Sequence, residues 1–269
     1  MEGEVFIRII FFVAIFALFA SLEVLAPHRN RTQPRRARWF TNFSITVLNT
    51  ISLRIFALIL PFLAIGAALD ATQKGWGLFN VLSWPLWVEL LLSIVFLDFA
   101  VWLQHVVMHK VPVFWRIHRV HHADRDMDVT TAIRFHPLEI LLSMFLKIGL
   151  VYLLGPSALA VVIFEILLNG FAIFNHANLK LSFGFDRVLR LVLVTPDMHR
   201  VHHSNCRREH DSNYGFFLSI WDRIFGTYLS QPEAGHKDMT IGLEWQNDQP
   251  SKLGWSLTLP FIQDKVERN

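Results

Sequence analysis

The sequence contains little charge and almost no cysteine. Its single cysteine, Cys206, excludes an intrachain disulfide. Asp, Glu, Lys and Arg make up 17% of the residues, whereas a soluble domain has roughly 25%. This deficit excludes an ordinary soluble domain. The net charge of +3 comes from a few arginine clusters, so it bears on membrane topology and predicts no nucleic-acid partner.

Hydrophobic residues take the place of the charged ones and make up 53% of the chain. They occur in runs close to or above the roughly 20 residues that a helix needs to cross a bilayer. The first run is too long for a cleavable signal sequence. The predicted fold is an all-α, polytopic membrane bundle with four to five hydrophobic segments: residues 5–25, 45–69, 86–104, 138–154 and 158–174.

Arginines after the first segment orient this bundle. They are Arg29, Arg31, Arg35, Arg36 and Arg38. The positive-inside rule places this loop in the cytosol, and the later segments then return residues 105–137 and 176–230 to the same side. Lys147 leaves open whether the hairpin at 138–174 crosses the membrane or dips halfway. Both paths end on the cytosolic side.

We therefore expect a single membrane-embedded domain over residues 1–269. Residues 1–104 are predicted to be mainly transmembrane, and residues 231–269 to form a C-terminal tail. Residues 105–137 and 176–230 are predicted to form a cytosolic helical cap, because they contain the clustered histidines.

The histidines recur in a fixed pattern. The pentapeptide His-Arg-Val-His-His occurs at 118–122 and again at 199–203, and His105 and His109 precede the first copy. Thr195-Pro196-Asp197 predicts a helix start before the second copy. Positions i, i+3 and i+4 share a helix face, so each copy is expected to aim three rings at one point. Eight imidazoles exceed the coordination of one metal, and we predict a binuclear polyhistidine site.

Two further histidines are candidates for the remaining ligand positions. His176 ends the fifth segment, and His136 follows a helix break, where hydrogen bonding to the backbone is the alternative. The predicted metal ligands are His105, His109, His118, His121, His122, His136, His176, His199, His202 and His203. The other three, His28, His210 and His236, are expected at the surface or behind the ligands.

Several polar residues are candidates for orienting the rings. A metal-bound imidazole commonly donates its second N–H to a carboxylate. Asp98 precedes His105 by seven residues on one helical stripe and is predicted to take this role. Asn213 and Asp222, downstream of the second pentapeptide, could also orient rings.

The order HxxxH, HxxHH, HxxHH resembles the sterol desaturase/fatty acid hydroxylase superfamily of integral membrane oxygenases. The resemblance covers about residues 95–230 and rests on the segments 98–109, 114–122, 131–139, 175–178, 199–215 and 221–227. One departure is Val106, where many relatives have arginine after the first histidine. This departure affects a local salt bridge and leaves the histidine pattern intact.

The resemblance implies a non-haem di-iron centre that uses O2 to hydroxylate or desaturate a membrane lipid, either a sterol, a fatty acyl chain or a related lipid. It implies two Fe ions, although Zn binds imidazole sites at least as tightly and could occupy a purified sample. The sequence has no flavin fingerprint, cysteine cluster or haem motif, so the electrons would come from a ferredoxin, a cytochrome or a reductase. The arginines at 29–38 and Arg207-Arg208 could dock it, unless the first group only sets topology.

Two other classes of function stay open. A zinc-dependent membrane lipid hydrolase or lyase would need a carboxylate beside the metal, and Glu139 and Glu209 are nearest in sequence. A metal transporter or sensor would need ligands along the spans, which offer few interior charges, among them Asp98, Glu165 and Arg54. Because the histidines gather at one membrane face, the sequence favours the oxygenase.

Overall fold

The computed structural model describes residues 2–60, 63–82 and 84–262, and within them the chain forms helices and no β-strand. The helices are α1 (Glu2–Leu25), α2 (Arg35–Ile59), α3 (Ala64–Lys74), α4 (Leu78–Val81), α5 (Leu86–Lys110), α6 (Pro112–His122), α7 (Pro137–Leu154), α8 (Ala158–His176), α9 (Phe183–Leu189), α10 (Pro196–His202), α11 (Arg207–His210), α12 (Ile220–Ile224), α13 (Gly235–Asp238) and α14 (Leu253–Thr258). Short 3₁₀ helices lie at Thr131–Ile133, Gln249–Ser251 and Leu259–Phe261. The all-α prediction is confirmed.

Five stretches of the described chain are long and apolar enough to cross a membrane: Phe6–Leu25, Arg35–Val81, Leu86–Lys110, Pro137–Leu154 and Ala158–His176. Many of their large apolar side chains point away from the protein, as Leu58 does with 85% of its surface exposed. An apolar surface of this kind is stable in lipid and costly in water. The chain is a multi-pass membrane protein, as predicted.

The second predicted segment, 45–69, differs from the structure at both ends. Helix α2 starts earlier, at Arg35, because its first turns are polar and bury Arg38 and Asn42 against the cap. A separate helix, α3, packs its alanine-rich face on α7 and α8, where small residues permit close approach. Pro61, which in the sequence predicts a kink in this segment, lies outside the described residues.

Helices α7 and α8 form the predicted hairpin. Gly155 ends α7 in the left-handed conformation, with φ +68°, and a Cβ there would lie 2.6 Å from the Trp76 carbonyl oxygen. Ser157 then caps α8 by accepting a hydrogen bond from the Ala160 N–H. Lys147, whose charge left open whether this hairpin crosses the membrane, forms an ion pair in the structure. Its Nζ lies 2.8 Å from Glu165 Oε1.

A buried polar network fastens the cap to α2. The Arg38 guanidinium binds Asp124 at 2.6 Å and Asp128 at 2.7 Å, and all three side chains are at most 3% exposed. Asn42 adds a hydrogen bond to Asp124 at 3.1 Å. The loop after α6 therefore rests on the start of α2.

The described part of the predicted tail also packs on the cap. Leu243 and Leu259 join Val120 of α6 in one apolar cluster. The Arg119 guanidinium reaches the Leu259 carbonyl oxygen at 2.7 Å. Residues 241–262 thus cover α6 from outside.

Candidate metal centre

Nine of the ten histidines predicted as ligands meet in two adjacent groups, each of which could hold a metal ion. Every ring is buried, and within each group the candidate ligand atoms lie within 4.8 Å of one another. We call them the five-ring group and the four-ring group. The five-ring group is His105, His109, His118, His122 and His202, and the four-ring group is His121, His176, His199 and His203.

Each pentapeptide contributes to both groups, which corrects the prediction that its three rings surround one point. In α6, His118 and His122 enter the five-ring group and His121 enters the four-ring group. The second pentapeptide does the reverse, with His202 in the five-ring group and its other two rings in the four-ring group. On a helix, residues i+3 and i+4 point about 100° apart. The pair i, i+4 therefore stays together, while i+3 turns to the neighbouring group.

Helix starts fix the directions of these rings. Pro112 stands at the first turn of α6. The predicted start of α10 is confirmed, since the Thr195 hydroxyl accepts a hydrogen bond from the Met198 N–H at 3.3 Å. Helices α5 and α8 carry the remaining rings. His109 and His176 lie in the final turns of these two helices.

Ring nitrogens face one another across the five-ring group. His105 Nε2 lies 3.0 Å from Nε2 of both His118 and His202. The Nδ1 atoms of the three rings already have acceptors: the Tyr214 carbonyl, the Glu139 carboxylate and the Ser212 carbonyl, each at 2.7 Å. A neutral imidazole has one N–H, so neutral rings held in this way present lone pairs at Nε2. Lone pairs this close repel unless a cation lies between them.

The four-ring group repeats this arrangement around His176. Its Nδ1 contacts the Ala172 carbonyl oxygen at 2.6 Å. Its Nε2 faces Nε2 of His121 at 3.0 Å and of His199 and His203 at 3.2 Å. Since one bound proton cannot bridge four converging nitrogens, the geometry suits a metal ion.

Burial disfavours the charged form of five of the rings. Desolvation, followed by the neighbouring rings, lowers the pKa of His121, His122, His199, His202 and His203 well below the ordinary value. Both ring nitrogens of His109 and His122 are also buried without a hydrogen-bond partner. An all-imidazole donor set that includes ring nitrogens without a hydrogen-bond partner fits divalent transition-metal ions.

Backbone carbonyls, rather than the predicted side chains, orient three of the four rings whose Nδ1 has an acceptor. Asp222 accepts hydrogen bonds from the N–H groups of Tyr214 and Gly215 at 2.9 Å. Asn213, at φ +52°, donates to the Met198 carbonyl oxygen at 2.9 Å. These two side chains shape the loop whose Ser212 and Tyr214 carbonyls accept from the rings. They therefore act on the rings through this loop, whereas we predicted that they orient the rings directly.

Asp98 does not contact a histidine, which corrects the prediction for this residue. Its carboxylate accepts hydrogen bonds from Trp221 Nε1 at 2.7 Å and from the Leu218 N–H at 3.3 Å. Asp98 therefore joins α5 to α12 of the cap. The carboxylate at hydrogen-bond distance from a ring of the two groups is Glu139, which the sequence offered only as a candidate acid or base, and Asp211 lies 3.6 Å from His109 Nδ1.

His136 is the predicted ligand that the structure keeps apart. It caps α7, where its Nδ1 accepts from the Leu138 N–H at 3.2 Å. Its Nε2 lies 3.2 Å from the Leu257 carbonyl oxygen. Both nitrogens are thus engaged with the backbone, the alternative considered for this residue. Among the other histidines, His210 stacks on Trp115 behind His109, and His28 and His236 contact each other.

Two cavities reach the five-ring group from different sides. The larger, about 470 Å³, lies among the membrane helices and is lined mainly by apolar side chains, with His105 and His118 in its wall. We call it the apolar cavity. The other, about 330 Å³, is lined by His109 and His210 together with Lys110 and Arg207. We call it the polar cavity.

Comparison with known proteins places this centre in a family. The fatty acid hydroxylase family profile matches residues 90–227, which contain all nine histidines of the two groups. Ornithine lipid hydroxylase OlsE of Rhizobium tropici is 30% identical over 233 residues, which cover 85% of this chain and 68% of that protein.

The alkylglycerol monooxygenases of Homo sapiens and Xenopus tropicalis are 36% and 35% identical over 54% and 56% of this chain. The matches cover 31% and 32% of those proteins, so the chain spans about a third of their length. No solved structure shows a significant match. The family profile and the long match to OlsE lead to one conclusion: this chain belongs to the fatty acid hydroxylase family.

Proposed function

We propose that the protein uses O2 either to hydroxylate a C–H bond of a membrane lipid or to remove two hydrogens from adjacent carbons of it, at a centre of two iron ions. The observation that carries the proposal is the convergence of imidazole ring nitrogens at 3.0–3.2 Å in two adjacent groups. Relatives named as lipid hydroxylases and monooxygenases support lipid oxidation. Bound iron would supply the activation of O2.

The five-ring and four-ring groups would each hold one ion through neutral imidazoles. Tyr214, Ser212 and Ala172 would fix three rings through their carbonyl oxygens, and Glu139 would fix a fourth. Such outer contacts set the tautomer and raise the basicity of the ligand. His136 has no place in this proposed ligand set.

The lipid would approach through the apolar cavity. The cavity lies between α2, α5, α7 and α8 and brings a chain to the side of the five-ring group that contains His105 and His118. Apolar walls such as Leu97 and Phe164 would hold an alkyl chain and exclude water from the reacting bond. The substrate would be a long-chain lipid, the class to which ornithine lipids and alkylglycerols belong.

Electrons would arrive from the opposite side. We place the metal centre in the cytosol, because the arginine-rich loop after α1 fits the positive-inside rule. Of the arginines expected to dock a donor, Arg38 is buried by its aspartates, whereas Arg207 is 87% exposed beside the polar cavity. A ferredoxin, cytochrome or reductase with an acidic face would dock there.

A zinc-dependent lipid hydrolase or lyase is the second candidate. Glu139 favours it, because one carboxylate oxygen contacts His118 and the other, Oε2, is buried in the cavity wall without a partner. A carboxylate beside a metal-activated water is the arrangement that hydrolysis requires. The two candidates differ in their need for O2.

Metal replacement distinguishes the two functions. We expect metal-free protein loaded anaerobically with Fe(II) to consume O2 when a reductase system and a membrane lipid extract are added. Mass spectrometry should then find a lipid that is one oxygen atom heavier or two hydrogen atoms lighter, and ¹⁸O2 should label the hydroxylated product. Zinc-loaded protein is the control and should be inactive. Turnover of lipid by the zinc form without O2 would refute the oxygenase and support hydrolysis.

Removal of the Glu139 carboxylate should weaken the five-ring group. We expect Glu139→Ala to lower metal affinity and turnover roughly 10–100-fold, because His118 loses the acceptor that fixes its ring. Glu139→Gln should lose less, since its amide oxygen can still accept the Nδ1 proton. Metal titration gives the affinities. Ser143→Ala, one turn further along α7 in the same cavity wall, is the control, and an equal loss of affinity in it would contradict this role.

A further inference from the structure

Charged side chains line the apolar cavity away from the histidines. Lys147 of α7, Glu165 of α8 and Arg8 of α1 are all part of its wall. Glu165 is 4% exposed, and its two oxygens lie 2.8 Å from Lys147 Nζ and 2.6 Å from Arg8 Nη2. We call these three side chains the charged triad. Ionisable groups inside a membrane bundle that face a cavity indicate function more often than packing.

Within the part of the chain that the structure describes, the charges of the triad sum to +1. Two cations share one carboxylate, and Asn169, the polar neighbour in the wall, donates its amide to the Glu165 carbonyl oxygen at 2.8 Å. The amide brings no charge that could neutralise the second cation. A net positive charge in apolar surroundings is costly, and an anion at this end of the cavity would remove that cost.

The triad and the metal centre are separated by the length of an alkyl chain. Lys147 lies eight residues beyond Glu139 on α7, which corresponds to about 12 Å along the helix axis. Glu165 precedes His176 by eleven residues on α8, or about 16 Å. The wall between the two ends is mainly apolar, with Leu168 and Ala172 among its residues. This layout suits a ligand with one anionic end and a long apolar body.

We infer that the charged triad binds the anionic group, a carboxylate or a phosphate, of the lipid whose chain extends toward His105 and His118. This inference rests on the proposed function for the role of the cavity. The triad would hold the anionic end of the lipid, in addition to the contacts that the apolar cavity makes with its chain. With the anionic end fixed, the carbon that reaches the five-ring group is set by its distance from the triad.

Binding measurements test the triad without turnover. The probes are palmitate, hexadecyl phosphate and neutral hexadecanol, each added to protein purified in a non-ionic detergent. We expect both anions to bind about tenfold or more tightly than hexadecanol, because charge-assisted hydrogen bonds form only with them. Lys147→Met should remove this preference and leave hexadecanol binding unchanged, which also reports that the variant is folded.

Removing the negative charge of the triad should change the affinity for anions in the opposite direction. Glu165→Gln removes the only negative charge of the triad, so it should strengthen binding of the two anions. A triad that served packing alone would lose stability in both variants without opposite shifts in affinity. Lys74→Met, an exposed lysine paired with Asp70 on α3, is the matched control and should change nothing.

Three results would overturn the inference. They are equal affinity of the unaltered protein for all three probes, retention of the anion preference in Lys147→Met, and displacement of palmitate by inorganic phosphate alone at comparable concentration. The last would assign the triad to a free anion. None of them bears on metal content or O2 consumption, so the proposed function would be judged separately.

Discussion

His202→Ala is expected to lower the metal content from about two ions per chain to about one and to abolish turnover. His202 supplies the α10 ring of the five-ring group, with its Nε2 3.0 Å from Nε2 of His105. His203→Ala should do the same to the four-ring group. Although the two residues are adjacent in sequence, each variant should empty a different group. Elemental analysis combined with a lipid-oxidation assay measures both effects.

Two matched variants define the control for this result. His136→Ala removes a histidine that was predicted as a ligand but caps α7, and His236→Ala removes one outside both groups. Both should retain the full metal content. Unchanged metal in His202→Ala and His203→Ala, or a loss in His136→Ala, would contradict the proposed ligand set.

Arg38→Met is expected to destabilise the protein by about 3–5 kcal/mol, the cost of leaving buried charges without their partner. The side chain is 1% exposed and pairs with two carboxylates, Asp124 and Asp128. Total stabilities are commonly about 5–15 kcal/mol, so the variant should unfold much more readily. Thermal unfolding in detergent measures the loss. Arg36→Met, an exposed arginine two residues earlier on the same helix, should be near neutral.

The loss in Arg38→Met should also depend on pH. Burial alone would raise the pKa of Asp124, but the Arg38 guanidinium holds it well below the ordinary value. The ionised pair therefore stabilises the native protein above the unfolded pKa of about 3.9, and this contribution is lost only as the pH falls through the lower folded value. In Arg38→Met, the Asp124 carboxylate loses its main partner. Protonation of Asp124 then removes the cost of burying a negative charge, so the variant becomes relatively more stable as the pH falls. The deficit should therefore shrink as the pH falls toward the unfolded pKa of about 3.9, and a deficit that does not change with pH would contradict this account.

Local sequence patterns predicted the spans and the candidate metal centre. The length of apolar sequence that a helix needs to cross a membrane depends on bilayer thickness. The five predicted segments correspond to the five stretches that could cross a membrane in the structure. The start of α10 followed from Thr195 and Pro196, whose preferences act within one turn. Nine of the ten predicted ligand histidines meet because a motif on a short helix fixes its own ring directions.

Features that depend on tertiary contacts escaped sequence reasoning. The division of each pentapeptide between two groups requires knowing that both groups flank the same helix. Ser212, Tyr214 and Ala172 hold rings through carbonyl oxygens, and a backbone atom leaves no signature in residue type. Lys147 and Glu165 lie on different helices and form an ion pair. The hydropathy pattern of the sequence shows each charge separately and does not reveal this pair.

The exchange of rings between the two pentapeptides has a consequence for assembly. Helices α6 and α10 each supply rings to both groups, so orienting either helix for the first ion preorganises the second position. Under the proposed di-iron function, an ion in one group would therefore help to position ligands of the other group. We expect a variant with one emptied group to keep its remaining ion but to bind it more weakly than the unaltered protein does.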